Sequence, residues 1–402
     1  MKIQKRLKEI NLRQFDFWIF ISVMLLLSAG LIMIFSASGP SSASKYDGDA
    51  YFFFRNQLRN AMIGFVVMAL FAILPYRIWG KLSVPMLVVS IGLLIVLIVP
   101  GATELTKGSK RWIYLSFISF QPSEITKFAL ICFLSASLAK RGDRVKRFGK
   151  GLLPYVILLA VIVVLLMLEP HLSGTVIVLA ISVIILFAAG AKVWHFIAVA
   201  IPTVSIGYLC ITYIENFQYI RDRITGHANP WLDAKDSGFQ IIQSLYAIAT
   251  GGLFGRGIGK SIQKFSYIPE PHNDFIFAIW AEETGFIGVA GVLLLFLILI
   301  WRGLKVSMMV KDRLGCLLSL GITTHITIQM VFNIAVVTQI IPVTGISLPF
   351  FSYGGTSLIL LMAEIGILLN ISKSVHIDTV LPVEEISAAQ QQQQQLLRAS
   401  RG

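Results

Sequence analysis

Asp274, Glu282 and Glu283 stand in a largely aromatic and aliphatic stretch, YIPEPHNDFIFAIWAEETGFIG, from Tyr267 to Gly288. Asp274 opens the apolar run, beside a cationic loop. That is the setting of a general base, which takes a proton from a reacting hydroxyl. It is equally the setting of a helix N-cap, a position Asp favours. Glu282 and Glu283 follow about two turns later, ~12 Å along a helix. Carboxylates at that depth in lipid must face protein or water. They serve either chemistry or an anchor to a neighbouring helix.

A second constellation is GSKRWIYLSFISFQPSEITK, Gly108 to Lys127. Pro122 suits the first turn of a helix. Glu124 in that turn complements the helix dipole, and Lys127 lies three residues on, on the same face. A capped helix with a local ion pair explains these residues. So does a polar cavity lined by Arg111, Glu124 and Lys127, since ionisable groups at a membrane boundary mark functional sites. The turn EPHLSGT, Glu169 to Thr175, reads as a tight helical hairpin. His171 in it has no second His or carboxylate at metal-ligand spacing.

The glycine-rich stretch GGLFGRGIGKS, Gly251 to Ser261, invites a phosphate-loop reading. The required G-x-x-x-x-G-K-[ST] fails, because Phe254 stands where the first glycine belongs. Arg256, Lys260 and the backbone N–H groups of such a loop can still receive a phosphate; the plain alternative is a flexible loop. Finally, PVTGISLPFFSYGGTSL, Pro342 to Leu358, interrupts an apolar run with two prolines and Gly354-Gly355. Broken backbone at that depth is tolerated only in protein or along a cavity, and such breaks mark substrate sites. Ser352 and Tyr353 are its candidate substrate contacts.

The elements that must position these residues are membrane spans. Of 402 residues, 56% are hydrophobic and only 14% charged, against about 25% charged in a soluble domain. About ten apolar segments can cross or nearly cross a bilayer: 16–38, 60–75, 81–100, 123–139, 152–169, 174–190, 194–214, 273–300, 314–337 and 347–371. The expected fold is therefore an all-α polytopic membrane protein. The net charge of +13 falls mostly in short loops, so it sets topology rather than signalling nucleic acid. Basic residues follow every second span: Arg77 and Lys81, then Lys140 to Lys150, then Arg302 to Arg313. With the basic N-terminus at 1–15, they place both termini in the cytoplasm. One long extracytoplasmic loop, 215–272, joins the seventh and eighth spans, and its glycines, aromatics and charges mark it as functional. The tail 372–402, with glutamines from Gln390 to Gln395, reads as a disordered cytoplasmic extension. Cys132, Cys210 and Cys316 lie in apolar stretches without ligand spacing and read as packing residues.

In this order, and over about residues 15 to 373, the five stretches resemble the SEDS family of bacterial cell-wall proteins. QPSE with Lys127, DFIFA with the following Glu pair, and LPFFSYGG carry the resemblance most specifically. The glycine-rich stretch is more similar to the division and sporulation members than to the elongation member. The resemblance implies a peptidoglycan glycosyltransferase of the cytoplasmic membrane, acting on lipid II at its outer face. It also implies a class B penicillin-binding protein as transpeptidase partner, alongside other division or sporulation membrane proteins. The family's catalytic aspartate maps onto Asp274, and its carboxylate and lysine onto Glu124 and Lys127. Two positions depart from the family pattern: His171, where many members carry Asp, and Asn273, where Thr is usual.

Glycan polymerisation needs a base for the attacking hydroxyl and charge stabilisation for a departing diphosphate. Asp274 suits the first task. Arg111, Lys127, Arg256 and Lys260 suit the second, with Glu124 orienting Lys127 or holding a cation. A divalent cation, Mg or Mn, would share that task, though no ligand set stands out. The polyprenyl tail would stay in membrane lipid. A lipid II transporter would use the same charges as a path open to both faces. A non-catalytic scaffold of the division machinery would tolerate change at Asp274.

Overall fold

The computed structural model describes residues 15–99, 111–115, 118–169, 171–214, 218–228, 230–233, 238–265 and 271–380. Its helices are α1 (Phe17–Lys45), α2 (Phe52–Ile73), α3 (Arg77–Ile98), α4 (Pro122–Arg141), α5 (Leu153–Leu168), α6 (Leu172–Ala188), α7 (Val193–Tyr213), α8 (Gln218–Ala228), α9 (Phe239–Gly251), α10 (Ile276–Met309), α11 (Arg313–Val337) and α12 (Gly355–Val380). Among the described residues, nine helical stretches are long and apolar enough to cross a membrane, and α6 is a shorter apolar helix. They follow the order of the expected segments, so the chain is a polytopic α-helical membrane protein. Local signals set the helix starts. Asp16 caps α1 by accepting from the N–H groups of Trp18 and Ile19, Pro122 opens α4, and Asp312 caps α11 at Gly315.

The structure departs from expectation at several boundaries. The loop 100–122 carries a hairpin, β1 (Ile113–Leu115) antiparallel to β2 (Ile118–Phe120), with Tyr114 opposite Ser119. The fold is thus not purely α. The second span begins at Phe52 rather than 60: the polar run Arg55, Asn56, Gln57, Arg59 and Asn60 lowers the hydropathy of its first turns, and Gln57 within it is buried. The last helix starts at Gly355, after the broken stretch, and continues past Ile371 to Val380. Ser372 belongs to that helix because its hydroxyl accepts from the buried N–H of Asp16. Residues 1–14 and 381–402, which hold most of the basic N-terminus and the glutamine run, lie outside the described residues. The segment 215–272 is not an open loop, since it contains α8 and α9.

Polar ties fix the bundle at both ends. At one end Arg302 of α10 grips Asp16, with Nε at 2.8 Å. Arg77, Lys81, Lys140 and Arg313 share a cleft there with Asp312, so these basic residues gather on one side as the charge pattern expects. In mid-bundle His325 of α11 meets Glu364 of α12 at 2.9 Å, both buried. Close helix approach uses glycine. Gly64 of α2 abuts Met362 of α12, and a Cβ at Gly366 of α12 would lie 2.5 Å from the Met68 carbonyl oxygen of α2. Small residues are the usual means of such contact in membranes.

Gly30 of α1 has a related role at the far end. A Cβ there would lie 2.5 Å from the Phe350 carbonyl oxygen and 2.8 Å from the Phe351 Cα. Phe350 itself has φ of 63°, an uncommon state for a non-glycine residue. Gly30→Ala should therefore push on an already strained turn and cost about 1–3 kcal/mol, as overpacking does. Thermal unfolding in detergent checks this; an unchanged melting point would mean that the turn yields freely.

Candidate active site

The broken stretch between α11 and α12 organises one end of the bundle. Residues from 342 to 354 form no helix. They are held from three sides. Asn333 of α11 donates both to the carbonyl of Ile346 (2.7 Å) and to that of Asp274 (2.8 Å). Gln57 of α2 donates to the Ser352 carbonyl (3.2 Å) and accepts from Gly354 N–H (3.2 Å). Tyr353 N–H donates to the His272 carbonyl (2.9 Å). The Ser352 hydroxyl accepts from Leu348 N–H (2.8 Å), closing the turn on itself.

These bonds bring Asp274, Ser352 and Tyr353 together. Asp274 directly precedes the N-cap position of α10, which is Phe275. The simple N-cap reading of Asp274 is therefore not the observed one. A Cβ added at Gly345, which has φ of 75°, would lie 3.2 Å from Asp274 Oδ2. The missing side chain at 345 leaves the carboxylate its space. Tyr353 packs edge-on against Phe53 and His272. Burial is the first influence raising its phenol above the ordinary value, with Arg59 and Asn56 pulling it down. Arg59 and Asn56 thus join the site from α2.

The second group stands at the head of α4. Lys127 Nζ lies 2.7 Å from Glu124 Oε1, the lysine fully buried and the carboxylate nearly so. The local ion pair of the first reading is present, at the head of a helix that Pro122 opens. Thr356 of α12 donates to the Ser119 carbonyl of β2 (3.0 Å), which fastens the hairpin beside the start of α12. Gln121 faces His171 across 3.3 Å. His171 is buried over Gly174, whose missing side chain makes room for the ring. Burial, then Arg111, pushes this imidazole down to about 3, with Glu124 pulling it up. It is therefore neutral, and if Nε2 accepts from Gln121 the proton sits on Nδ1. Arg111, Glu124 and Lys127 thus share one electrostatic neighbourhood with His171, which sequence reasoning left out of the site.

Glu169 adds a titratable carboxyl to that neighbourhood. Burial pushes it up to about 8, while Arg111 pulls it down. An unfolded chain gives up this proton near pH 4.5. The folded chain binds more protons between these values, so its stability falls as pH rises through the window. Against Glu169→Gln, the wild-type protein should melt progressively lower from about pH 5 to about pH 8, with no further divergence above that. Melting curves across pH check this. Parallel curves for the two proteins would show that Glu169 is ionised in the fold.

Arg256 and Lys260 belong elsewhere. They lie on the glycine-rich segment after α9, which is bound to α10 around Glu282 and Glu283. Glu282 accepts from Ser261 Oγ (2.5 Å), Ile262 N–H (3.0 Å) and Arg256 (3.3 Å). Glu283 accepts from Ser36 Oγ (2.7 Å), Gly259 N–H (2.9 Å) and Lys264 Nζ (3.0 Å). The N–H groups of Gly259, Ser261, Ile262 and Gln263 are turned inward onto these two carboxylates, and those of Arg256 and Gly257 onto the main-chain carbonyls of Glu282 and Glu283. The Glu pair is a structural anchor, as one reading expected, but mainly for a loop rather than a helix. Arg256 is held on Glu282, and Lys260 is exposed on the loop surface.

Among the described residues no group of three or more His, Cys, Asp or Glu side chains converges as a metal cage. Sequence reasoning missed Arg59, Gln57, Asn333 and the His325–Glu364 pair. A signal existed for three of them: Asn333, His325 and Glu364 are polar residues in apolar spans, which are costly unless used.

Comparison with known proteins agrees with this architecture along nearly the whole chain. The model of the FtsW, RodA and SpoVE cell cycle proteins matches residues 17–377. A protein of Geobacter sulfurreducens (strain DL-1 / KN400) named "Probable peptidoglycan glycosyltransferase FtsW" is 40% identical over 372 residues, 92% of this chain and 98% of that one. Stage V sporulation protein E of Bacillus subtilis (strain 168) is 41% identical over 358 residues, 89% of this chain and 97% of that one. Among solved structures, a chain from a peptidoglycan synthase complex that coordinates polymerization and crosslinking superposes with a TM-score of 0.72. It is 28% identical and covers 90% of this chain and 99% of its own. The rod shape determining protein RodA of Thermus thermophilus gives 0.65 at 25% identity, over 90% of this chain and 98% of its own. With the family model spanning almost every helix, the chain belongs to the FtsW/RodA/SpoVE family.

Proposed function

We propose that this protein polymerises lipid II into glycan strands at the outer face of the cytoplasmic membrane, with Asp274 as the base. The chain is a peptidoglycan glycosyltransferase, like the FtsW relative that it matches over 92% of its length. The observation that carries the site assignment is the clamp of Asn333 on Asp274 and Ile346. It sets a carboxylate against the broken stretch, at the end of the bundle where α4 presents Glu124 and Lys127. In the reaction, a sugar hydroxyl gives its proton to Asp274 as its oxygen bonds to the anomeric carbon of the second substrate. The bond from that carbon to the lipid diphosphate breaks, and the diphosphate leaves with the electron pair. Arg111, Lys127 and Arg59 stabilise its charge, Glu124 orients Lys127, and Ser352 and Tyr353 line the acceptor side.

The topology that goes with this reading has ten spans and both termini in the cytoplasm. It puts the cleft of Arg77, Lys81, Lys140 and Arg313 inside and the Asp274 end outside. The partner is a class B penicillin-binding protein, a reading supported by the synthase complex that the fold resembles. The assay is glycan-chain formation from purified lipid II by the full chain together with that transpeptidase. Lipid II translocation without polymer, from the bound pair, would replace the polymerase reading with a transporter.

A further inference from the structure

The glycine-rich segment is built as a patch of membrane-seated surface. Its backbone N–H groups find partners inside the protein. Leaving Ile258 aside, each residue from Gly255 to Phe265 donates its N–H within the protein. Arg256 and Gly257 donate to the carbonyls of Glu282 (2.9 Å) and Glu283 (3.0 Å). Gly259, Ser261, Ile262 and Gln263 donate to the two glutamate side chains. Gly255, Lys260, Lys264 and Phe265 find partners within the loop or at the end of α9. Irregular backbone can enter a water-poor region only when its polar groups are answered in this way.

While the backbone N–H groups turn inward, the large apolar side chains turn outward. Phe254 is 79% exposed and Ile258 60%, and Leu253, Ile262 and Phe265 are exposed as well. This patch is continuous with the exposed face of α10. The helix breaks at Gly285, with φ of 66°, and there Phe286 N–H donates to Gly252 O (2.9 Å) and Ile287 N–H to Leu253 O (3.2 Å). Phe286 and Ile287 are exposed, and below them so are Leu294, Leu297, Trp301 and Met308, a lipid-facing stripe. Between Ile287 and Lys305 the helix advances ~27 Å, nearly the thickness of a hydrocarbon core. Gly252 and Leu253, directly before Phe254, are therefore bonded to the residues that lie at this level toward the Asp274 end. Lys260 and the half-exposed Arg256 carry cations into the same surface, as long basic side chains do beside apolar surface at a membrane interface.

We infer that the loop 253–265 seats its apolar side chains in the lipid leaflet at the Asp274 end, as an interfacial element stitched to the break in α10. The inference concerns the loop's surroundings and stands independently of the reaction assigned above. The test places benzoylphenylalanine at Phe254, at Ile258 and, as a polar control at the same end, at Ser44, which is exposed. The full-length variants are irradiated in nanodiscs of phosphatidylethanolamine and phosphatidylglycerol, with and without the transpeptidase. Because these side chains are exposed, the substitutions leave the packing intact. Phospholipid adducts, read by mass spectrometry, should form at 254 and 258 in several-fold higher yield than at 44, whether or not the transpeptidase is present. Yields at 254 and 258 no higher than at 44 would overturn the inference. So would adducts that pass wholly to the transpeptidase when it binds, which would make the patch a protein docking face.

Discussion

Asp274→Asn should abolish glycan-chain formation from lipid II, a loss on the order of 10²–10⁴-fold if the carboxylate is the general base. The variant should keep its fold. Asparagine is nearly isosteric, and the two bonds that place residue 274 in the frame run from Asn333 to main-chain carbonyls, which the substitution leaves in place. The measurement is polymer length on gels from purified lipid II with the transpeptidase bound, paired with thermal melting. A stable variant that polymerises at the wild-type rate would remove Asp274 as the base.

Glu283→Gln should do the reverse and damage the fold first. Glu283 is buried with Lys264, whose ammonium lies 3.0 Å away and is also buried. It further accepts from Ser36 on α1 and from Gly259 and Ser261 in the loop. Removing one partner leaves a buried charge uncompensated, which costs about 3–5 kcal/mol. The loop should lose its fastening at the same time, so protease should cut between Gly252 and Phe265 in the variant and spare the wild-type protein. Unchanged melting together with an uncut loop would mean that Glu282 alone holds the segment. The contrast between the two carboxylates separates chemistry from construction, although both stand in one short stretch of sequence.

That contrast also shows what a sequence can disclose here. The spans were legible because lipid demands long apolar runs, and their order follows the expected one. Pro122 and the Glu124–Lys127 pair were legible because capping and ion pairing at three-residue spacing are local. The clamp by Asn333 was not, because it joins residues 59 positions apart. Gln57 hid for another reason. A polar side chain lowers the hydropathy of the helix that carries it, so a rule based on hydropathy begins the span after it, at 60. The same side chain reaches almost 300 residues along the chain to hold Gly354. The glycine-rich segment misled in an instructive way. Its composition advertises free N–H groups, and only the fold reveals that Glu282 and Glu283 occupy them.

The way Asn333 holds Asp274 bears on how the site survives its own turnover. A base gains and loses a proton in every cycle, and a carboxylate gripped only by its oxygens would tighten and slacken with each change of charge. Asn333 takes hold of the carbonyl of residue 274 instead, an oxygen that does not titrate. The carboxylate can alternate between charged and neutral while this grip on its main chain stays the same, so in the proposed role each new sugar would meet a base that has not drifted from the last addition. For an enzyme that repeats one bond along a growing strand, that constancy is a form of fidelity.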